Sequence, residues 1–174
     1  LTALAFHVKA LARALCDFPR FNASLTSDGK RLVLKGYVHI GIAVDTEHGL
    51  IVPVIRNVDR KGLWKIASEI MDLAERAQAR KIKPEEMGGA SMTITNLGGI
   101  GGTAFTPIVN PPELAILGLT RMEITPVWDG VAFQPVPMVP MDLSYDHRVI
   151  NGAEAARFVS YHAALIAGPH SLLI

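Results

Sequence analysis

The chain has one cysteine, Cys16, so no disulfide can close within it. No Cys/His set has the spacing of a zinc site, and no metal is expected. A lone cysteine in an apolar, helix-like stretch fits a reducing, cytosol-like compartment. Excess charge of one sign is also missing. Lys and Arg number 17 against 16 Asp and Glu, so no broad basic field exists to hold nucleic acid. A local basic spot remains enough for the phosphates of a small ligand. No apolar run reaches the ~18 residues of a membrane span, and Lys9 and Arg13 interrupt the apolar opening where a signal peptide would need continuity. Repeats, low-complexity tracts and linker-like stretches are absent. Hydrophobic residues at 49% and charged residues at 19% exclude a disordered or fibrous class.

What is present is one domain's worth of core in 174 residues. The chain starts without Met and directly in helical periodicity, which reads as a fragment of a longer protein. Leu4, Val8, Leu11 and Leu15 recur at three- and four-residue steps and predict a helix that Phe18-Pro19 ends. Residues 31–34 and 37–44 read as strands, and residues 49–55 as an edge or irregular strand because of Pro53. Leu63, Ile66, Ile70, Leu73 and Ala77 predict a second amphipathic helix, with Asp72 and Arg76 paired on its wet face. Residues 91–96 and 114–119 are expected as buried strands, separated by a glycine-rich loop and Pro111-Pro112. Trp128-Asp129-Gly130 reads as a hairpin turn, and residues 136–144 as a strand region broken by Pro137 and Pro140. A last helix is expected from about Gly152 to Ile166, ended by Gly168-Pro169. One mixed α/β domain accounts for the whole pattern.

Chemistry concentrates in Ser144-Tyr145-Asp146-His147-Arg148-Val149-Ile150-Asn151-Gly152. A histidine between an acid and a base, after an apolar strand and before a helix, can be held rigidly yet face a cleft. Residue pattern alone leaves open a structural histidine at a strand end. Asn151 has a plain role as helix N-cap, with Glu154 placed to complete a capping box. Gly98-Gly99-Ile100-Gly101-Gly102-Thr103 lacks the Lys-Ser/Thr pair of a P-loop and the spacing of a dinucleotide fingerprint. It reads as a tight loop that lets backbone approach a ligand or a neighbouring subunit. The other five histidines read as structural or solvated.

The stretch around His147 resembles the DHRxxDG signature of the dihydrolipoyl acyltransferases, the core subunits of 2-oxo acid dehydrogenase complexes. It is more distantly similar to the HHxxxDG motif of chloramphenicol acetyltransferase, which Asp146 and Arg148 do not match. Phe21-Asn22-Ala23-Ser24, residues 39–56, 93–102 and 110–118 resemble the same family in the same order, so the likeness covers essentially the whole chain. The resemblance implies a mixed-sheet α/β sandwich of the chloramphenicol acetyltransferase type, forming residues 1–174 as a catalytic domain truncated at its N-terminal side. The lipoyl and peripheral-subunit-binding domains would be absent from it.

The activity so implied is acyl transfer between a lipoyl thiol and coenzyme A, with no acyl-enzyme. His147 would take the proton from the attacking thiol and return it to the leaving one. Imidazole titrates near neutrality, so it can serve both directions. The oxyanion donor carried over from the family falls on Thr95, where family members commonly have serine. Asn151 stands where the motif usually has aspartate, and is assigned support of the site's shape. Asp45, Thr46, Gly49 and Phe105 are implied at the coenzyme A side, and Leu117 in the core. The family also implies a homotrimer in which His147 of one chain meets Thr95 of its neighbour, and in bacteria a cube of 24 subunits joined partly through Leu172-Leu173-Ile174. The run from Val149 to Phe158 is most similar to acetyltransferases of bacterial pyruvate dehydrogenase complexes, which implies a cytoplasmic partner of the decarboxylase and dihydrolipoyl dehydrogenase components, downstream of glycolysis. Succinyl or branched-chain transfer, and a non-catalytic scaffold, are the alternatives.

Overall fold

A computed structural model describes residues 1–172. Ten strands and three α-helices follow one another as α1 (Ala3–Asp17), β1 (Ala23–Leu25), β2 (Leu32–Leu34), β3 (Ile40–Thr46), β4 (Gly49–Ile51), β5 (Val54–Ile55), α2 (Leu63–Gln78), β6 (Met92–Asn96), β7 (Ala115–Leu119), β8 (Glu123–Trp128), β9 (Phe133–Met138), β10 (Met141–Tyr145) and α3 (Gly152–Ala167). Among the described residues, no helix is long and apolar enough to cross a membrane.

The main sheet runs β10-β7-β6-β3-β4, with β5 pairing β3. β3, β6 and β7 are parallel, while β10, β4 and β5 pair antiparallel at the flanks. The sheet is therefore mixed, as expected. Alternation decides its two faces. Ile40, Ile42, Met92, Ile94 and Leu117 point into the core with the buried stripes of α1 and α2. Val8, Leu11 and Leu15 of α1 are at most 1% exposed, and burying each such side chain contributes about 1.5–3 kcal/mol. Gly41, Ala43, Thr93, Thr95, Ile116 and Gly118 fall on the alternate positions, and the loop from Phe105 to Pro111 lies over that face.

The expected helices and buried strands are found close to their sequence boundaries, and Pro53 does split residues 49–55 into β4 and β5. The Asp72–Arg76 pair forms at 2.8 Å, and Leu117 is wholly buried. One expectation fails. β9 runs straight through Pro135 and Pro137, and the break falls at Val139-Pro140. β8 and β9 form a separate two-stranded ribbon in which Pro126 faces Pro135 and Ile124 faces Pro137. All three prolines occupy one alternating set of pairs, the set that needs no N–H across the ladder, so the ribbon tolerates them. β2 falls within the strand expected at residues 31–34, and it pairs with β1, a strand that the sequence pattern does not predict. Leu172 is packed against its own chain at 4% exposure, and Leu173 and Ile174 lie outside the described residues.

Candidate active site

His147 owes its position to the end of β10. The chain leaves the sheet at Asp146, whose N–H donates to the Leu114 carbonyl at 2.8 Å, and turns so that the Val149 and Ile150 N–H groups each donate to the Asp146 carbonyl at 3.0 Å. Val149 and Ile150 are buried and pin the turn from below, while His147 stands exposed at its apex. Its ring leans on Tyr145 at 5.4 Å. The two flanking charges do not engage the imidazole. Arg148 folds back on Asp146, with Nε 2.9 Å from Oδ1 and Nη2 2.6 Å from Oδ2. That guanidinium holds the Asp146 carboxyl below its usual range. Arg20 donates to the Val149 carbonyl and faces Glu154 at 3.8 Å.

Asn151 caps α3 as expected, its Oδ1 accepting the Glu154 N–H at 2.9 Å. The anticipated capping box is only half formed among the described residues. The Glu154 carboxylate turns to Arg20, a charged partner, instead of back to the Asn151 N–H. Asn151 thus ties the turn that carries His147 to the first turn of a long helix.

Thr95 sits half-buried on β6, between Ala43 of β3 and Gly118 of β7. It opens into a hollow of about 640 Å³ that Phe105, Ile108, Val52 and Ile116 also line. Phe105 reaches this place because residue 118 has no side chain. A Cβ there would lie 2.6 Å from the ring, far inside contact distance. The Phe105 N–H donates to Asp142 Oδ2 at 3.2 Å, and Asp142 is itself the register partner of Gly118. Thr95 and Phe105, singled out separately in the sequence, therefore share one cavity. Asp45, Thr46 and Gly49 do not line it. They form the β3–β4 hairpin, where the Thr46 hydroxyl donates to the Gly49 carbonyl at 2.7 Å and Gly49 takes a φ of +109°. Leu50, next along the hairpin, lines the hollow in their place.

Within one chain His147 and Thr95 do not meet. The turn carrying His147 flanks a different hollow, of about 560 Å³, lined by Tyr145, Asp146, Arg148 and Glu113. Each chain presents two half-sites: an exposed imidazole on a rigid turn, and a hydroxyl inside an apolar hollow. Among the described residues no group of three His, Cys, Asp or Glu is placed to hold a metal ion. Sequence reasoning passed over two carboxylates. Asp142 anchors the Phe105 loop, and Glu113 is 6% exposed with Oε1 accepting the Thr93 hydroxyl at 3.0 Å. Burial pushes the Glu113 carboxyl above its usual range, against the pull of that hydrogen bond. A charged residue inside each apolar strand region was the signal available. His7 and His162, read as structural, are a buried stacked pair with ring nitrogens 3.0 Å apart.

The fold and the two half-sites define a class. The model of the 2-oxoacid dehydrogenases acyltransferase (catalytic domain) family matches residues 1–174, and the chain belongs to that family. It is 56% identical, over all of its 174 residues, to the dihydrolipoyllysine-residue acetyltransferase component of the pyruvate dehydrogenase complex of Pseudomonas aeruginosa, and spans about a third (32%) of that protein's length. A solved structure of Azotobacter vinelandii dihydrolipoamide acetyltransferase is 55% identical with a TM-score of 0.98, covering all of this chain and 72% of that one. It comes from a study of the role of a serine, a histidine and an asparagine in that enzyme's catalytic mechanism. The cubic core of a pyruvate dehydrogenase multienzyme complex superposes with a TM-score of 0.97 at 55% identity, again over all of this chain and 72% of its own. Chloramphenicol acetyltransferase shares the fold alone, at 16% identity and a TM-score of 0.58 over 94% of this chain and 77% of that one.

Proposed function

We propose that the chain is the acyltransferase core of a pyruvate dehydrogenase complex, moving an acetyl group between a dihydrolipoyl thiol and coenzyme A. One observation carries this reading to named residues. The serine, histidine and asparagine studied in the Azotobacter vinelandii enzyme stand 52 and 4 residues apart, the same separations as Thr95, His147 and Asn151 here. Their chemistry fits those places. His147 accepts the proton of the attacking thiol as sulfur bonds to the acyl carbon. The Thr95 hydroxyl donates to the oxyanion that forms, and His147 returns the proton to the departing thiolate. A placed base contributes ~100 to 10,000-fold in rate, and one oxyanion donor about 3 to 4 kcal/mol. Asn151 acts on shape, since its oxygen is committed to the α3 cap.

Because the half-sites stand apart in one chain, the working site in this proposal lies between subunits of a trimer. His147 from one subunit enters the Thr95 hollow of the next, and Phe105 borders the coenzyme A side. Asp45, Thr46 and Gly49 would then act through the hairpin that carries Leu50. The likeness to a cubic core supports eight such trimers in a 24-subunit assembly. The decarboxylase and dihydrolipoyl dehydrogenase components would serve it in a bacterial cytoplasm, at the outlet of glycolysis. The test is a rate measurement with dihydrolipoamide and either acetyl-CoA or succinyl-CoA. Acetyl transfer faster than succinyl transfer, lost in His147→Ala, is the expected result. A succinyl preference refutes the acetyl assignment, and an active His147→Ala refutes the base.

A further inference from the structure

The segment Asn110–Glu113 is a wall shared by three hollows of the molecule. Pro111 borders the hollow of Thr95, the hollow beside the His147 turn, and a third of about 220 Å³ that contains Lys35 and Ser24. Glu113 closes this wall against the sheet. Its N–H donates to the Asn110 carbonyl at 3.0 Å. Its Oε1 accepts the Thr93 hydroxyl at 3.0 Å and the Asn110 amide at 3.5 Å. Thr93 lies two residues before Thr95 on β6 and lines the same hollow. One residue further along, the Leu114 carbonyl takes the Asp146 N–H that starts the His147 turn. Glu113 is thus bonded through its side chain to the strand of one half-site and adjoins the main-chain bond that anchors the other.

Burying a carboxyl on an apolar strand end is costly, and here stability does not explain it. Oε2 has no partner among the described residues, nor does the Ser24 hydroxyl oxygen that shares its hollow. Lys35, which lines the same small hollow, donates to the Ala90 carbonyl at 2.7 Å instead. A leucine would pack the same space without leaving an acceptor bare. An acceptor at 113 takes both the Asn110 amide and the Thr93 hydroxyl, and the bond to Thr93 is the one that fixes the wall's distance from the Thr95 face.

We propose that Glu113 is a positioning residue for acyl transfer, holding the Asn110–Glu113 wall against Thr93 so that the substrate-lining loop from Phe105 to Pro111 keeps its place over Thr95. The proposal rests on the acyl-transfer reading above. Oε1 serves as the acceptor of the Thr93 hydroxyl, and an amide oxygen can accept the same bond, its NH₂ facing the polar hollow with Ser24.

The experiment compares wild type, Glu113→Gln, Glu113→Ala and Thr93→Val in the assembled protein, by steady-state kinetics and by calorimetric titration with coenzyme A. Loss of the tie raises KM for coenzyme A about tenfold in Glu113→Ala while kcat changes less, because the loop loosens but the reacting groups stay. Thr93→Val, which removes the donor and keeps the volume, gives the same KM rise should Glu113→Ala fail to fold. Glu113→Gln restores most of the lost affinity. Variants that melt earlier yet bind coenzyme A as wild type does overturn the proposal, as does a Gln variant no better than Ala. A wild-type protein that binds coenzyme A without transferring acetyl would count against the function above, and leaves the Glu113 tie to be judged by the titrations.

Discussion

In the proposed mechanism His147 is a base that reaches into a neighbouring subunit's cavity, so it has to be exposed and yet immobile, two demands that usually conflict. His147 meets both because its neighbours are buried while it is not: Val149 and Ile150 anchor the turn, and the Asp146 carboxylate is engaged with Arg148. His147→Ala is therefore expected to lower acetyl transfer by ~100-fold or more with the sedimentation coefficient unchanged. Thr95→Ala should lose about 100- to 1,000-fold in kcat, and Thr95→Ser should keep most of it, since the hydroxyl survives. Gly118 makes a different kind of contribution, through an absent atom. Gly118→Ala sets a methyl 2.6 Å from the Phe105 ring and must displace it, so a raised KM for coenzyme A is expected, and an unchanged one would separate Phe105 from that site.

Helices α1 and α3 bear on the site indirectly, through how firmly they are joined. Phe158 of α3 stacks on Phe21 at 4.1 Å and meets Phe18 edge-on at 5.6 Å, so the chain after the His147 turn is clamped to the chain after α1. Asn151→Ala removes the α3 cap and should lower unfolding free energy by about 0.5–2 kcal/mol. Asn151→Asp, which keeps an acceptor, should retain the stability. Further along the same interface, His7 and His162 meet in full burial. Burial pushes His7 down to about 4 and His162 down to about 3, the second ring's charge adding to the latter. In the unfolded chain both titrate near 6.5. Below that pH the unfolded state binds protons the folded state refuses, so this stability is complete above pH 6.5 and drains away as pH falls toward 4. Urea midpoints measured at pH 7 and pH 5 should drop, and His162→Leu should flatten the drop.

At the scale of the molecule, the separation of His147 and Thr95 within one chain is the decisive feature, because under the proposed mechanism it makes activity a property of an interface. Mixed assemblies test this directly. Co-folding His147→Ala chains with Thr95→Ala chains in equal amounts should restore activity to about a quarter of wild type, the share of interfaces that pair an intact His147 with an intact Thr95. If both groups served within one chain, no mixture would recover. The apolar side chains left in solvent agree with an associated form: Trp128 is 55% exposed, Phe133 67% and Ile124 66%, more than a lone subunit usually shows in one ribbon.

Local chemistry was legible in the residues themselves. Periodicity gave α1 and α2 close to their observed ends, Pro53 marked the split between β4 and β5, and an Asn three residues before Glu154 announced the cap of α3. These are short-range effects, settled within a turn or a strand. His147 could be singled out because a polar triplet interrupts apolar sequence. Tertiary structure alone decided the rest. That Phe105 lies on Gly118 and that Glu113 ties the loop to Thr93 depend on which strands become neighbours, and the pairing of β7 with β6 and β10 across 20 or more residues is set by the whole core's packing, not by any local pattern. The β3–β4 hairpin makes the same point: which of its residues reach the hollow's wall, Leu50 among them, depends on how β3 is placed in the sheet.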